Sequence, residues 1–544
     1  MADELTAWWR SAVIYEIYVR SFADGNGDGI GDLEGVRARL GYLADLGVDA
    51  LWFTPWYPSP MADGGYDVAD YRDVAPMFGT LADAEKLIDE AHGFGIRIII
   101  DVVPNHCSDE HPWFQRALAA APGSPERDLF WFRPGRGEKG ELPPNNWPSI
   151  FGGRAWTRTT DADGNPGEWY LHLFAPEQPD FNWNSPIVRA EFEDVLRFWF
   201  DRGADGVRID SAALLVKDDG LPDSDGGEEA FTDRDGVHDV YRAWRRVAEE
   251  YPDRALIGEI WLPDVERFAR YLRSDELHVA FNFDFLCCAW DADRLRAVVD
   301  ATLAAHQPVG APATWVLSNH DVVRHVTRYG RPDTSFSMAD RRVGSPADLV
   351  LGEHRARAAA LLTLALPGGA YIYQGEEFGL AEVEDLPDEL RQDPIWSRSE
   401  HAEPGRDGCR VPLPWSGSAP PFGFSPDPAA AAPWLPQPAE WAKRTMRAQA
   451  ADPASMLTLY REALRLRRSL RSLGDGPMHW LPALPGVLAF ARGADVACVV
   501  NLSGAPVPMP EGDVLITSSP LVDGLLPNDT TAWLRTAAAA ISIS

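Results

Sequence analysis

In the stretch Gly203-Ala204-Asp205-Gly206-Val207-Arg208-Ile209-Asp210-Ser211-Ala212, an arginine and an aspartate stand two residues apart at the end of a short β-branched run. Alternation along a strand sends Arg208 and Asp210 to one side and Val207 and Ile209 to the other. A guanidinium beside a carboxylate keeps that carboxylate ionised and oriented, as a nucleophile or a stabiliser of positive charge requires. The same pair also reads as an ordinary salt bridge, so its meaning depends on what other strand ends deliver. Three more deliver polar groups: Asp101-Val102-Val103-Pro104-Asn105-His106, Gly258-Glu259-Ile260-Trp261 and Ser318-Asn319-His320-Asp321. Gathered in one place, Asp210, Glu259 and Asp321 with Arg208, His106 and His320 can do nucleophilic and acid–base work.

The elements that must gather them alternate along the chain. Strand patterns are predicted at Val13–Tyr18, Ala50–Phe53, Arg97–Val102, Gly206–Ile209, Ala255–Gly258, Val279–Phe281, Thr314–Leu317 and Ala370–Tyr373, with amphipathic helical patterns between them, the first near Glu34–Leu46. Parallel βα units repeated in this way imply an α/β fold, a (β/α)8 TIM barrel whose active site lies at the C-terminal ends of its strands. Two regions break the pattern. Residues 105–175 are rich in Pro, Gly, Trp and Asn without sustained periodicity, and predict an irregular domain inserted after the third strand. From about residue 471 short runs such as Val487–Arg492 and Val496–Leu502 predict a C-terminal β-sandwich, 471–544. The barrel then comprises 1–104 and 176–470.

Composition narrows the partners. A formal charge of -32 excludes a surface built for nucleic acid or anionic membranes and fits a neutral small-molecule substrate. The 21 tryptophans suit the apolar faces of sugars, although most belong in packing. Five scattered cysteines without metal-ligand spacing imply free thiols in a reducing compartment. The opening Met1-Ala2-Asp3-Glu4 has no basic region before an apolar stretch, so a cytoplasmic location is expected. The most apolar run, Ala356 to Tyr373, is broken by Pro367-Gly368-Gly369 and reads as a core helix and a buried strand.

With DVVPNH, GVRIDSA, GEIW and SNHD in this order and spacing, the chain strongly resembles the α-amylase superfamily of retaining glycoside hydrolases, over essentially its whole length. The resemblance implies Asp210 as nucleophile, Glu259 as general acid/base and Asp321 as the group that binds sugar hydroxyls and favours a distorted ring. His106 and His320 then hydrogen-bond the sugar of the first subsite. The chemistry agrees, since retention at a glycosidic bond needs two carboxylates about 5–5.5 Å apart, one of them with a raised pKa.

Within that superfamily the chain is closest in pattern to the oligosaccharide-cleaving α-glucosidase branch. Its loop Asp24-Gly25-Asn26-Gly27-Asp28-Gly29-Ile30-Gly31-Asp32 begins like a calcium loop but has Gly35 where an EF-hand places its bidentate Glu. The resemblance implies a structural Ca²⁺ held by Asp24, Asn26, Asp28, Asp32 and the Ile30 carbonyl; a metal-free Gly/Asp turn is the plainer reading. No organic cofactor is expected. By the same resemblance Tyr66 stacks under the first sugar, and Asp67 pairs with an arginine of Gly405-Arg406-Asp407-Gly408-Cys409-Arg410-Val411-Pro412 to close the pocket beyond one glucose. Arg410 is the better match and Arg406 the alternative. Phe174 is equally an aromatic wall or a packing residue, and Ser211, small and hydroxylated, favours α-1,4 bonds. The expectation is an exo-acting α-glucosidase that cleaves and transfers terminal α-1,4-linked glucose, with trehalose synthase, sucrose hydrolase and oligo-1,6-glucosidase as alternatives. A non-catalytic, transporter-associated barrel protein is the alternative of another class, disfavoured by the intact carboxylates. The oligomeric state is open.

Overall fold

The computed structural model describes residues 7–160, 164–225, 230–427 and 431–536. Residues 1–4 and the last eight of the predicted C-terminal domain therefore lie outside the described residues. Eight parallel strands form one sheet in the order Thr314–Val316, Gly369–Tyr373, Val13–Ile17, Ala50–Phe53, Arg97–Val102, Gly206–Ile209, Ala255–Gly258 and Val279–Ala280. The edge strands are linked by the Thr314 hydroxyl, which donates to the Ala280 carbonyl, so the sheet curls into a nearly closed TIM barrel.

Alternation explains how the barrel presents its polar groups. Ile14, Trp52, Ile99, Ile257, Val316 and Tyr371 form one apolar cluster, while Tyr15, Leu51, Phe53, Ile98, Ile100, Val207 and Ile209 belong to the larger core shared with the outer helices. Two residues further along the inward rows stand Glu16, Asp101 and Glu259, and Arg208 pairs in register with Asp101. An apolar plug thus floors a charged layer at the C-terminal strand ends.

The helices bury the stripes that a 3.6-residue period predicts. Leu81–Gly93, opened by a Thr80/Asp83 capping box, buries Ala84, Leu87, Ile88 and Ala91; Pro186–Asp201 buries Val188, Phe192, Val195, Leu196 and Trp199. The helix expected over 34–46 is two, Leu33–Arg37 and Leu40–Leu46, because the Arg39 amide bonds to Val36 and breaks the ladder. The first strand stops at Ile17, since the Tyr18 amide is taken by the Gln374 side chain.

The inserted region is more regular than its composition predicts. Phe132–Arg133, Trp156–Thr160 and Pro166–Leu171 form a three-stranded antiparallel sheet over a cluster including Trp131, Trp147, Trp156 and Trp169. Its bulky rings supply the core that sequence alternation does not announce. At the C-terminus the layers are unequal: a five-stranded antiparallel sheet carries only a two-stranded ribbon, Val507–Pro508 with Leu525–Leu526, on its outer face. Its inner face packs on the barrel helix Leu349–Ala365, where the Trp533 indole donates to the Leu361 carbonyl at 3.0 Å. Among the described residues no helix is long and apolar enough to cross a membrane.

Candidate active site

Arg208 organises the charged layer. Its Nη1 donates to Asp210 Oδ1 at 2.8 Å and to both oxygens of Asp101 at 3.0 Å, and its Nη2 donates to Glu259 Oε2 at 2.7 Å. The sequence therefore places Arg208 beside Asp210 correctly but understates it: one buried guanidinium holds three carboxyls from three adjacent strands. Glu259 also accepts from the Ser211 amide at 2.9 Å and from the Trp261 indole at 3.0 Å, and that indole lies flat on Phe283 with ring centres 3.7 Å apart.

Burial and charge then separate the three carboxyls. Burial pushes Glu259 up to about 7, opposed by Arg208 and reinforced by Asp210 and Asp321. Asp210 is also raised by burial, with Arg208 and a Ser211 hydrogen bond pulling it down. At Asp321 burial works against ionisation, yet His320 and the guanidinia of Arg406, Arg410 and Arg208 hold it far below the usual carboxylate range. Glu259, which Trp261 and the Ser211 amide orient, is thus brought into the neutral range, as an acid that gives and takes a proton requires. Asp101, which sequence reasoning quoted without assigning, is pushed by burial up to about 8 and accepts from the Tyr66 hydroxyl at 3.0 Å.

The remaining polar groups ring this layer. The His320 ring stacks parallel to Tyr66 at 5.2 Å, its Nδ1 meeting Glu16 Oε1 at 2.5 Å and its Nε2 facing Asp321 Oδ2 at 3.4 Å. His106 lies against Phe174 at 4.8 Å with its Nε2 3.1 Å from the Gln178 amide, and burial pushes it down to about 4. Asp210, Ser211, Glu259, Tyr66, Phe174 and both histidines line a single cavity of about 610 Å³, a size suited to a small ligand.

Two expectations are corrected. Asp67 does not pair with an arginine: its buried carboxylate accepts from the amides of Ala62 and Asp63 at 2.8 and 3.0 Å and ties the turn. Tyr66 faces the cavity, so its neighbour is directed away, whereas the Tyr66 amide bonds to the Asp63 carbonyl and the turn brings Asp63 back to the cavity. The carboxylate that pairs with an arginine of the 405–412 loop is Asp63, 2.5 Å from Arg406, and Arg406 is held in turn by Asp393 at 2.5 Å and Asp321 at 3.0 Å. Arg410 is directed instead to Asp321 Oδ1 at 3.1 Å and to the His320 carbonyl at 2.9 Å.

The loop after the first strand is held by its own amides. Asp24 accepts from Gly27, Gly29 and the Ser425 hydroxyl; Asn26 accepts from the Asp28 amide and Asp28 from that of Ile30; Asp32 accepts from Gly25, Asn26 and Gly35. Oxygen donors of this kind suit a hard cation; Asp24, Asn26, Asp28 and Asp32 with the Ile30 carbonyl are the groups that would hold one, and the Asn26 amide group donates to Asp28 at 3.2 Å. Among the described residues no group of three or more His, Cys, Asp or Glu side chains is set to hold a metal.

The family profile described as alpha amylase, catalytic domain, matches residues 16–476. The chain belongs to the alpha-amylase family. Members similar to it include a probable alpha-glucosidase of Rhizobium meliloti, 37% identical over 91% of this chain and 89% of the relative, and an oligo-1,6-glucosidase of Parageobacillus thermoglucosidasius, 35% identical over 85% and 84%. A trehalose-6-phosphate hydrolase of Escherichia coli is 36% identical over 94% and 93%. Among solved structures, an alpha-glucosyl transfer enzyme superposes with a TM-score of 0.83 at 34% identity, covering 99% of this chain and 98% of the other; a trehalulose synthase gives 0.85 at 31%, covering 97% and 100%. This alpha-amylase family chain is a glycoside hydrolase.

Proposed function

We propose that the protein is a retaining, exo-acting α-glucosidase that cleaves and transfers terminal α-1,4-linked glucose from maltose and short malto-oligosaccharides. The observation that carries this reading is the single guanidinium of Arg208, which binds Asp210 at 2.8 Å and Glu259 at 2.7 Å from the ends of adjacent strands. Retaining chemistry asks for such close carboxyls, about 5–5.5 Å apart.

Asp210, ionised beside Arg208, attacks the anomeric carbon while Glu259 gives its proton to the departing glycosidic oxygen. The bond to the leaving sugar breaks as the Asp210–carbon bond forms. Glu259, now a carboxylate, takes a proton from water, or from the hydroxyl of an acceptor sugar, and that oxygen displaces Asp210. Asp321, kept anionic by Arg406 and Arg410, accepts hydrogen bonds from sugar hydroxyls and favours the oxocarbenium-like state. Tyr66 supplies the stacking face. Asp63 with Arg406 closes the far end, so one glucosyl unit enters.

Ser211 supports the α-1,4 preference, and the five free thiols suit a reducing, cytoplasmic setting. Relatives named oligo-1,6-glucosidase and trehalose-6-phosphate hydrolase keep other linkages in view. Incubation with maltose, isomaltose, sucrose and trehalose separately, following products and anomeric configuration from the earliest times, tests the reading. Early α-glucose from maltose, with little from isomaltose, supports it. Early β-glucose, or turnover confined to another disaccharide, overturns it.

A further inference from the structure

Glu16 is a carboxyl in the barrel interior, 2% exposed, on the first strand between Trp52 and Tyr373. A buried acid there is costly unless it is paired. Its partner is His320: Oε1 lies 2.5 Å from Nδ1 and also accepts from the His320 amide at 3.3 Å. The ring is confined by two tyrosines that stack with it, Tyr66 and Tyr18, with ring centres 5.2 and 6.0 Å distant.

We propose that Glu16 is a positioning residue that keeps His320 donating a hydrogen bond from Nε2 into the sugar pocket. The argument is one of proton placement. Nε2 faces Asp321 Oδ2 at 3.4 Å, and Asp321 is anionic because two guanidinia hold it. A bare Nε2 would set two acceptors against each other, so Nε2 carries a hydrogen. The 2.5 Å contact on the other side also contains a proton, since two acceptors do not approach so closely without one. Whether that proton rests on Nδ1, giving an imidazolium between two carboxylates, or on Glu16, giving a neutral ring, Nε2–H remains the donor.

The surrounding charges leave this unchanged: Glu16 faces Asp321, Arg208, Glu376 and Tyr373, and His320 faces Asp321, Arg410, Arg208 and Arg406. A glutamine at 16 has the same shape, and because the atom at the Oε1 position also accepts from the His320 amide, its carbonyl and not its NH2 takes that place. Nδ1 then needs a hydrogen to meet that carbonyl, and the neutral ring is left with Nε2 bare against Asp321, the repulsion that the proton shared with Glu16 prevents in the wild-type protein. Glu16→Gln therefore converts the pocket-facing nitrogen from donor to acceptor.

Because His320 contacts sugar only on the reading above, the test has one arm that does not need turnover. In protein labelled with ¹⁵N-histidine, the His320 signals, identified by their loss in His320→Gln, should show a protonated Nε2 in the wild-type protein and an unprotonated, pyridine-type Nε2 in Glu16→Gln. An unprotonated Nε2 in the wild-type protein overturns the proposal even if the variant fails to fold. In the second arm, Glu16→Gln lowers kcat/KM on maltose by about 10- to 100-fold, the worth of one charged hydrogen bond, and changes it less than about 2-fold in a His320→Gln background. Equal losses in both backgrounds contradict an action through His320. Inactivity of the wild-type protein on maltose contradicts the α-glucosidase reading alone.

Discussion

The cavity has two unlike halves. Its inner end is an ionic lattice in which Arg208, Arg406 and Arg410 are each fixed by buried carboxylates; Asp101, Arg208, Asp210, Glu259 and Asp321 come from strands or their ends, Asp63 from a turn, and Asp393, Arg406 and Arg410 from the connection after the last strand. Its outer wall is apolar, with Ile150, Phe151, Leu214, Phe231, Met338 and Ile395 contributed by the inserted region and by long connections. Charges locked at the ends of strands set one chemistry with little freedom to drift. Apolar rings on loops set what fits beyond the first sugar and can change without touching that chemistry, which agrees with relatives of several specificities.

The comparison breaks most sharply if the lattice is dispensable. Asp210→Asn should lower kcat on maltose by about 10⁴-fold or more with the melting temperature little changed. A loss below about 10-fold would remove Asp210 from the nucleophile's role. Glu259 governs the pH profile. It must be protonated at the start of the reaction, and its pKa is raised to about 7, so kcat/KM falls as pH rises through that value. In Glu259→Gln the residual rate should lose that alkaline limb.

Arg406→Gln opens the closed end and leaves the Asp63 and Asp393 carboxyls short of their partner. A fall in kcat/KM on maltose of about 100-fold, larger in KM than in kcat, is the expected outcome. Arg410→Gln should show a different balance, because its partner is the catalytic-layer Asp321 and not the closing Asp63. Ser211→Val probes the linkage. Ser211 sits at φ 46, a conformation that resists a β-branched residue. The maltose-to-isomaltose ratio should fall about 10-fold, together with a small loss in stability. The smallest effect concerns the calcium proposed at the Asp24–Asp32 loop: EDTA should lower the melting temperature by about 2–4 °C, the span of about 1 kcal/mol. No change would remove the ion.

The two halves also differ in how far they can be read from the sequence. The inner chemistry is legible because period-two alternation fixes which residues of a strand share a face, so the sequence alone groups Arg208 with Asp210 and sets Glu259 at a neighbouring strand end. Asp63 and Arg406 were misplaced to Asp67 and Arg410 because a turn, not a strand, sets their direction, and neighbouring residues in a turn point to different sides. Glu16 and Asp101 were passed over because a lone acid on a strand carries no mark of an inward face until its neighbours are known. The sheet of the inserted region was hidden for another reason: its tryptophans pack on one another across connections that leave no periodic trace. The apolar outer wall, built from such segments, was largely illegible.

The central claim is that Asp210 forms a covalent bond to the sugar. The most direct measurement is mass spectrometry of the protein after brief exposure to an activated glucosyl fluoride whose ring fluorine slows release of the intermediate. The account predicts one added fluoroglucosyl unit on the peptide carrying Asp210, absent in Asp210→Asn. Turnover of that compound with no adduct, or an adduct on another residue, would contradict it.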